Sequence, residues 1–436
     1  MPDLYPHQHA AVDWLAANPR ACLADDQGLG KTISAAVALR RLGLRQVLIV
    51  CPSVVMWNWQ RELREWAQLD TSVLYASALA PNASSVITSH ALIRKKAVRA
   101  KLHRRWDLLI VDESHVFRNP SQQTMALYRH LLPWADRVWC LTGTPMPNDP
   151  SELWTMLHCL RPAEFPERWA EFREQYCELR NSRFGLKPIA VKNGAELRAR
   201  VRPHMLRRLK KDVLDLPALR SETICVRPLT IPPELAEIER KLRRALARGT
   251  AGAGEKLDAV QSVATPEDAL AVLRECEDFA RFRRLCGEAK IEPLGELLAA
   301  ELAQTREHYV VFAHHRNVIA ALAQRLAAFS VATLTGATSA RDRDRSVAQF
   351  QDGALRVLVV QITAGGIGIT LTRATEAVFA ELPWSPGELA QARDRFYRIG
   401  QTQAVRVRYV SLAASIDETI ADVLRTKMAM QREVLQ

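Results

Sequence analysis

The sequence predicts an α/β protein of two lobes, each built on a parallel sheet, with a helical insertion between them and a helix at the C-terminus. Apolar runs alternate with helical patterns over the first 145 residues, strand signals become scarce from Pro147 to about Lys290, and the alternation returns from about Ile291. Alternation of this kind is typical of βαβ units. The predicted domains are a first lobe at 1–146, the insertion at 147–290, a second lobe at 291–412 and the tail helix at 413–436.

The strands are predicted from short apolar runs, and helices are predicted between them. In the first lobe these runs are Ala21–Ala24, Gln46–Cys51, Ser85–Thr88, Leu108–Val111 and Val138–Leu141. In the second lobe they are His308–Ala313, Val331–Thr335, Arg356–Gln361, Ala377–Leu382 and Val405–Ser411. Among the helices, the pattern predicts Thr32–Arg41, Trp57–Trp66 and a single amphipathic tail helix over Ile416–Leu435.

Composition excludes several classes of protein. The chain of 436 residues carries 60 basic and 48 acidic residues, a formal charge of +12, which favours a polyanionic partner such as nucleic acid. No apolar run approaches the roughly 18 residues that cross a bilayer, so no membrane association is expected. The first residues lack the pattern of a secretory signal. None of the 8 cysteines forms a CxxC pair, which indicates reduced thiols in the cytoplasm and no structural zinc.

A glycine-rich octapeptide, Asp25–Thr32, follows the first predicted strand and opens a helix. Backbone N–H groups of such a turn close around phosphate oxygens, and the helix N-terminus adds partial positive charge. The predicted nucleotide-binding residues are Asp26, Gly28, Leu29, Gly30, Lys31 and Thr32. Lys31 would reach the β- and γ-phosphates, and the Thr32 hydroxyl would bind Mg²⁺. Asp25 stands where a strict phosphate loop has Gly or Ala, and the octapeptide alone could also be an ordinary strand–turn–helix.

Two adjacent carboxylates end the strand predicted at Leu108–Val111. Asp112 is predicted to bind Mg²⁺, and Glu113 to position and polarise the attacking water, as nucleotide hydrolysis requires. His115 could couple this site to its neighbours. An acidic strand end on a surface turn is the alternative, but the phosphate loop upstream makes the catalytic interpretation far more specific.

The second lobe supplies two candidate arginines and a glycine-rich turn. Arg395 and Arg398 lie three residues apart, which would place both on one face of a helix. Guanidinium groups can neutralise charge on a transferring γ-phosphoryl group, so both are predicted to be catalytic. A solvated basic helix is the alternative. The turn over 363–368 is weaker and adds Gly366 and Gly368 as nucleotide-binding candidates.

In this order the elements resemble the ATPase motor of superfamily 2 helicases, specifically the Swi/Snf family of DNA translocases. The resemblance extends from about Leu4 to Ile420. Its most specific stretches are Asp25–Thr32, Asp112–His115, Thr142–Pro145 and Gln391–Gln401. It implies two RecA-like lobes with ATP and Mg²⁺ in the cleft between them, and ATP-driven movement along double-stranded or forked DNA. In Tyr5–Gln8 it implies that Gln8 recognises adenine.

The resemblance also implies DNA contacts that grip the phosphate backbone without reading sequence. The implied DNA-binding residues are Ser53, Trp57, Thr88, Ser89, His90, Thr335, Gly336 and Thr363. Side-chain hydroxyls and backbone amides suffice for phosphate contacts. Trp57 and Trp59 are more typical of core packing than of base stacking. The basic segment Arg198–Lys211 could add electrostatic hold, or could be a solvated helical face.

Within the family, the second lobe looks closest to the annealing-helicase branch, at Val311–His315 and Val378–Trp384. Tyr397 departs from the His usual in the family. We expect a bare motor of bacterial or phage type, cytoplasmic and associated with the nucleoid, acting as a monomer on DNA structures or DNA–protein complexes. The alternatives are a single-strand DNA or RNA helicase of the same superfamily, and a DNA-binding or assembly protein with a degenerate motor.

Overall fold

The computed structural model describes residues 3–75, 83–118, 121–161, 163–165, 168–182, 185–249, 273, 276–362, 369–383 and 386–422. They form two compact units, each with its own parallel sheet. Among the described residues, the first unit comprises those up to Leu179 together with Ala190–Leu214, and the second comprises Arg180–Ile189 and those from Asp215 to 422. The α/β class with two parallel-sheet lobes is confirmed.

The strands up to Leu206 are β1 (Arg20–Leu23), β2 (Val47–Cys51), β3 (Ser72–Val73), β4 (Val86–Ser89), β5 (Trp106–Asp112), β6 (Ala135–Leu141), β7 (Cys177–Ser182), β8 (Gly185–Val191) and β9 (Met205–Leu206). Seven of them form one sheet in the order β3-β4-β2-β5-β6-β1-β9, whereas β7 and β8 pair separately. Every pair in the large sheet is parallel. The carboxyl ends of β1, β2, β4, β5 and β6 therefore meet at one edge.

The helices of this part of the chain are α1 (Pro6–Ala17), α2 (Lys31–Arg41), α3 (Met56–Glu62), α4 (Lys96–Leu102), α5 (Gln122–His130), α6 (Leu153–Leu160), α7 (Trp169–Tyr176), α8 (Gly194–Val201) and α9 (Lys210–Val213). Both faces of the sheet are covered. Along β2, Leu48 and Val50 enter one hydrophobic cluster, and Val47 and Ile49 enter the other. This is why the strand reads as a continuous apolar run.

The second unit has strands β10 (Leu219–Val226), β11 (Tyr309–Ala313), β12 (Val331–Leu334), β13 (Val357–Gln361), β14 (Glu376–Phe379) and β15 (Val405–Leu412). They form a parallel sheet in the order β10-β15-β14-β11-β13-β12. Its helices are α10 (Pro233–Gly249), α11 (Phe279–Gln304), α12 (Arg316–Arg325), α13 (Ala340–Asp352) and α14 (Pro386–Phe396). No helix of the described ranges is both long and apolar enough to cross a membrane.

All ten predicted strands are present, with ends shifted by at most a few residues. The expectation of a helical insertion at 147–290 needs correction. Its described residues contain four strands, and Arg180–Ile189 together with the residues from Asp215 belong to the second unit. β9 and β10 lie at sheet edges, and β10 is largely exposed, so neither carries the apolar run of a buried strand. Residues 416–422 begin the predicted tail helix, and the remainder of that prediction lies outside the described residues.

Candidate nucleotide-binding site

The loop between β1 and α2 has the shape of a phosphate cradle. Gly28 and Gly30 adopt left-handed φ values of 79° and 80°, and Gly30 precedes the first turn of α2. The left-handed conformation favours glycine at position 30, and a Cβ there would also displace the end of the Gln8 side chain. Gln8 Nε2 donates to the Leu29 carbonyl at 3.4 Å, and Gln8 Oε1 accepts from Tyr5 N at 3.0 Å. Gln8 thus ties α1 to the loop.

Lys31 lies at the N-terminus of α2 with its ammonium turned back across the loop. Its Nζ donates to the carbonyls of Asp25 at 2.7 Å and Asp26 at 3.1 Å. Thr32 follows in the same helical turn. The lysine charge, the hydroxyl and the helix N-terminus lie together, which is the donor set that a triphosphate and its metal need.

Two arginines outside the octapeptide hold the loop in place. The carboxylate of Asp25 is almost fully buried and pairs with the Arg208 guanidinium, and its Oδ1 also accepts from Arg208 N at 3.0 Å. Arg207 donates to the Ala24 carbonyl at 2.9 Å and lies 3.4 Å from Asp26 Oδ1. The departure from the strict phosphate-loop pattern at Asp25 therefore has a structural partner.

This arrangement corrects the interpretation of the basic segment Arg198–Lys211. The segment is not one helical face, because β9 separates α8 from α9. Arg207 and Arg208 are only 15% and 16% exposed, since they are directed to the loop rather than to solvent. Sequence reasoning missed this role. The available signal was an adjacent acidic pair, Asp25–Asp26, with only Arg20 and Lys31 as basic residues nearby in sequence.

The two carboxylates at the end of β5 are held in different ways. Asp112 Oδ1 accepts from Glu113 N at 2.9 Å, and Asp112 Oδ2 accepts from the indole Nε1 of Trp59 at 2.8 Å. Glu113 has a left-handed backbone with φ of 48°, which costs free energy in a residue with a side chain. The turn sets the Glu113 side chain apart from the strand.

His115 connects Glu113 to the next strand end. Its Nδ1 lies 3.2 Å from Glu113 Oε2 and 3.1 Å from Thr142 Oγ1. Thr142 Oγ1 in turn accepts from Thr144 N at 3.1 Å. The predicted coupling role of His115 thus has a geometric basis. The Thr142–Pro145 turn, a common turn when taken alone, belongs to the site.

The environment separates the pKa values of the two carboxyl groups. Burial, and then the negative charge of Glu113, raise the pKa of Asp112 to about 6, while the Trp59 hydrogen bond and the Lys31 charge oppose the rise. Burial acts to raise the pKa of Glu113 too, but the hydrogen bond and charge of His115, with the charge of Lys31, bring it below its ordinary value. Glu113 is therefore ionised at neutral pH, as a residue that polarises water must be.

These residues fit a nucleotide with Mg²⁺. Lys31 is close enough to act electrostatically on both carboxyl groups, and the hydroxyl and carboxylate oxygens of Thr32 and Asp112 are ligands of the kind that Mg²⁺ takes. A bound divalent cation would favour the ionised form of Asp112. The first unit thus brings together all the nucleotide-site residues predicted in the first lobe.

The predicted DNA-contact residues of the first lobe lie after β2 and at the end of the neighbouring strand β4. Ser53 begins a short 3₁₀ turn. Trp57 is 61% exposed on α3, so the expectation of core packing is wrong for Trp57. Thr88 is fully buried, and Ser89 Oγ accepts from Leu92 N at 3.4 Å. His90 Nε2 lies 2.8 Å from the Asp112 carbonyl oxygen. The DNA contacts themselves stay predictions.

In the second unit, the predicted DNA-contact residues Thr335 and Gly336 follow β12 directly. The backbone N–H groups of Thr335 and Gly336 donate to Thr338 Oγ1 and Gln361 Oε1, at 2.9 Å and 3.0 Å. The predictions at Thr363, Gly366 and Gly368 fall outside the described residues.

The expectation that Arg395 and Arg398 share a helix face is wrong, because α14 ends at Phe396. The last helix carbonyls have partners from elsewhere in the chain. Arg395 O accepts from Leu371 N at 2.7 Å, and Phe396 O accepts from Gln401 Nε2 at 3.0 Å. The catalytic roles of both arginines stay predictions.

Comparison with known families assigns two parts of the chain. The SNF2-related domain matches residues 7–231, and the helicase conserved C-terminal domain matches residues 289–400. The first match covers more than half of the chain. The chain belongs to the SNF2-related family. The family recognised from the motifs, and the helicase-like ATPase class that it implied, are thereby confirmed.

The SNF2-related chain is similar to longer curated proteins. It is 32% identical over 438 residues to the Xenopus tropicalis SWI/SNF-related matrix-associated actin-dependent regulator of chromatin subfamily A-like protein 1, spanning 98% of this chain and 44% of that protein. It is 27% identical to the Homo sapiens DNA annealing helicase and endonuclease ZRANB3, of which it spans 40%. The chain thus covers less than half the length of these two relatives.

Among solved structures, the Sulfolobus solfataricus SWI2/SNF2 ATPase core in complex with dsDNA is 22% identical, with a TM-score of 0.45. The match covers 99% of this chain and 93% of that one.

Proposed function

We propose that this SNF2-related chain is a DNA-dependent ATPase that moves along double-stranded DNA and remodels DNA structures such as forks, anneals strands, or displaces DNA-bound proteins. The observation that supports this proposal most strongly is that groups at the ends of three strands lie together in one site. The phosphate loop after β1, the carboxylates after β5 and the hydroxyls after β6 are linked through Lys31, Glu113 and His115.

The proposed chemistry uses the residues of the first unit in separate roles. The glycine loop and Lys31 bind the phosphates, and Gln8 on α1 meets the base. Mg²⁺, held by Thr32 and Asp112, would offset charge on the phosphoryl oxygens. Ionised Glu113 orients water and accepts its proton, and His115 fixes the Glu113 side chain relative to Thr142. Arg395 and Arg398 are proposed to neutralise charge on the γ-phosphoryl group.

Duplex or forked DNA is the proposed track, because the family match is to SNF2-related proteins and one curated relative carries the name of a DNA annealing helicase. The basic excess of the chain favours a polyanionic partner. Action as a monomer in the cytoplasm, near the nucleoid of a bacterial or phage-infected cell, is part of the proposal.

Two assays on purified protein test the proposal. Steady-state ATP hydrolysis is measured at fixed salt with no nucleic acid, duplex DNA, forked DNA, single-stranded DNA and RNA, and displacement of a third strand from a triplex reports movement along duplex. We expect stimulation by duplex or forked DNA and ATP-dependent displacement. Stimulation restricted to single strands or RNA would contradict the proposal and favour a conventional helicase.

A further inference from the structure

Trp59 is a buried core residue whose indole N–H makes a hydrogen bond. It lies on α3 and is 1% exposed, in the same hydrophobic cluster as Trp139 of β6. Its indole N–H donates to Asp112 Oδ2 at 2.8 Å. A buried indole N–H needs an acceptor, and here the acceptor is a predicted metal ligand. The other oxygen of Asp112 is held by Glu113 N, so the carboxylate has little freedom to rotate.

His90 approaches the same residue from another element. It follows β4 directly, is 7% exposed, and packs edge-on against Phe117 with ring centroids 5.0 Å apart. Its Nε2 lies 2.8 Å from the main-chain oxygen of Asp112. Since a carbonyl oxygen only accepts, Nε2 carries the proton in this contact. Asp112 is therefore fixed at its side chain by Trp59 and at its backbone by His90.

Both residues belong to the segments predicted to contact DNA. Trp57 and Trp59 are two residues apart on α3, one 61% exposed and the other buried against the core. His90 is the residue after Ser89 at the end of β4. The α3 segment therefore carries one exposed side chain, Trp57, and one buried side chain on Asp112, whereas in the β4 segment Ser89 and His90 are both buried. In each segment, the residue that contacts Asp112 lies one or two positions from a residue predicted to contact DNA.

We propose that Trp59 and His90 are positioning residues through which the two DNA-contact segments set the place of Asp112, so that duplex DNA raises the affinity of the site for Mg²⁺–nucleotide. The proposal rests on the proposed function. It states a coupling between two ligands, and such coupling is reciprocal: nucleotide must raise the affinity for duplex by the same factor. A residue that only fills the core would leave that factor unchanged.

The test measures the coupling factor by binding, without turnover. The dissociation constant of Mg²⁺–mant-ADP is determined by fluorescence with and without saturating duplex DNA, and the duplex affinity is measured with and without the same nucleotide. We expect a factor of about fivefold or more in the wild-type protein, falling towards one in Trp59→Phe. Trp139→Phe is the matched control, because Trp139 is equally buried and its indole N–H donates to the Asn18 carbonyl at 3.1 Å.

His90 supplies a second, independent pair of variants. His90→Leu removes the donor to the Asp112 carbonyl and should lower the coupling factor, whereas His90→Gln offers an amide donor and should restore part of it. Thermal unfolding is recorded for every variant, so that coupling is compared among folded proteins only. If Trp59→Phe unfolds, the two His90 variants decide the question.

If the coupling factor of folded Trp59→Phe equals that of the wild type and of Trp139→Phe, the role of Trp59 is overturned. If the two His90 variants have equal coupling factors, the role of His90 is overturned. A wild-type factor of one also overturns the inference. Triplex displacement by the same wild-type preparation reports on the proposed function separately, so the two failures are distinguishable.

Discussion

The ends of two central strands, β5 in the first unit and β14 in the second, use glutamate in opposite ways. Glu113 follows β5 directly, is 27% exposed and has a left-handed backbone. Glu381 lies two residues beyond β14, is 5% exposed, and accepts from His314 N, His315 N and His315 Nδ1 at 2.7, 2.9 and 2.6 Å. Glu381 is hydrogen-bonded to the residues that begin α12, whereas the Glu113 side chain is partly exposed.

The comparison shows that position after a buried strand does not assign a catalytic role. The difference lies in the partners. Glu381 has three donors from its own unit, and a Cβ on Gly287 would lie only 2.5 Å from its Oε1, so the carboxylate is enclosed. Glu113 has one near partner, His115, and a neighbouring lysine charge.

Glu113→Gln should have the largest effect. The amide cannot accept the proton of the attacking water, so kcat should fall by about a thousandfold while mant-ADP still binds. Steady-state hydrolysis and nucleotide titration measure the two quantities. Glu381→Gln is the matched control and should retain most of the wild-type kcat. Comparable losses of kcat in both variants would remove the distinction between the two strand ends.

Arg208→Met should destabilise the first unit by about 3 kcal/mol, because it leaves the buried Asp25 carboxylate without its guanidinium partner. Nucleotide affinity should fall as well, since Asp25 opens the phosphate loop. Denaturant unfolding and mant-ADP binding measure these changes. The double variant Asp25→Asn with Arg208→Met should recover part of the lost stability, and a double variant as unstable as the sum of the single ones would contradict the pairing.

Glu381→Gln should lower the stability of the second unit by about 2 kcal/mol at pH 7, because the amide replaces a charged acceptor of three hydrogen bonds. Chemical denaturation followed by circular dichroism measures the change. Unchanged stability would mean that the three hydrogen bonds contribute no net free energy.

The same substitution predicts a pH dependence. Burial acts to raise the pKa of Glu381, but the hydrogen bonds from His315 and His314 bring it below its ordinary value of 4.5. A carboxyl group whose pKa is depressed by folding contributes stability that is complete above its unfolded pKa and is lost as the pH falls through the folded one. The stability gap between wild type and Glu381→Gln should therefore narrow below pH 4.5. A gap independent of pH would contradict the assignment.

The sequence predicted the fold where strands are buried on both faces. β2, β5, β11 and β13 form continuous apolar runs because parallel strands are covered by helices on each side. β9 and β10 could not be predicted in this way. β9 has two residues, and β10 exposes most of its side chains at a sheet edge.

The candidate site was predictable wherever its chemistry is local. The phosphate loop and the Asp112–Glu113 pair each occupy consecutive residues, so residue type and order suffice. The bonds from Arg208 to Asp25 and from Trp59 to Asp112 join residues 183 and 53 positions apart. Residue type alone shows that a buried indole or guanidinium needs a partner, but only the fold determines which one.

The account is tested most directly by duplex-stimulated ATP hydrolysis of Glu113→Gln and Glu381→Gln, measured beside the wild type at one salt concentration. It predicts that duplex DNA stimulates the wild type and Glu381→Gln, and that Glu113→Gln binds nucleotide and duplex without turnover. Turnover in Glu113→Gln near the wild-type rate, or a wild type that ignores duplex DNA, would contradict it.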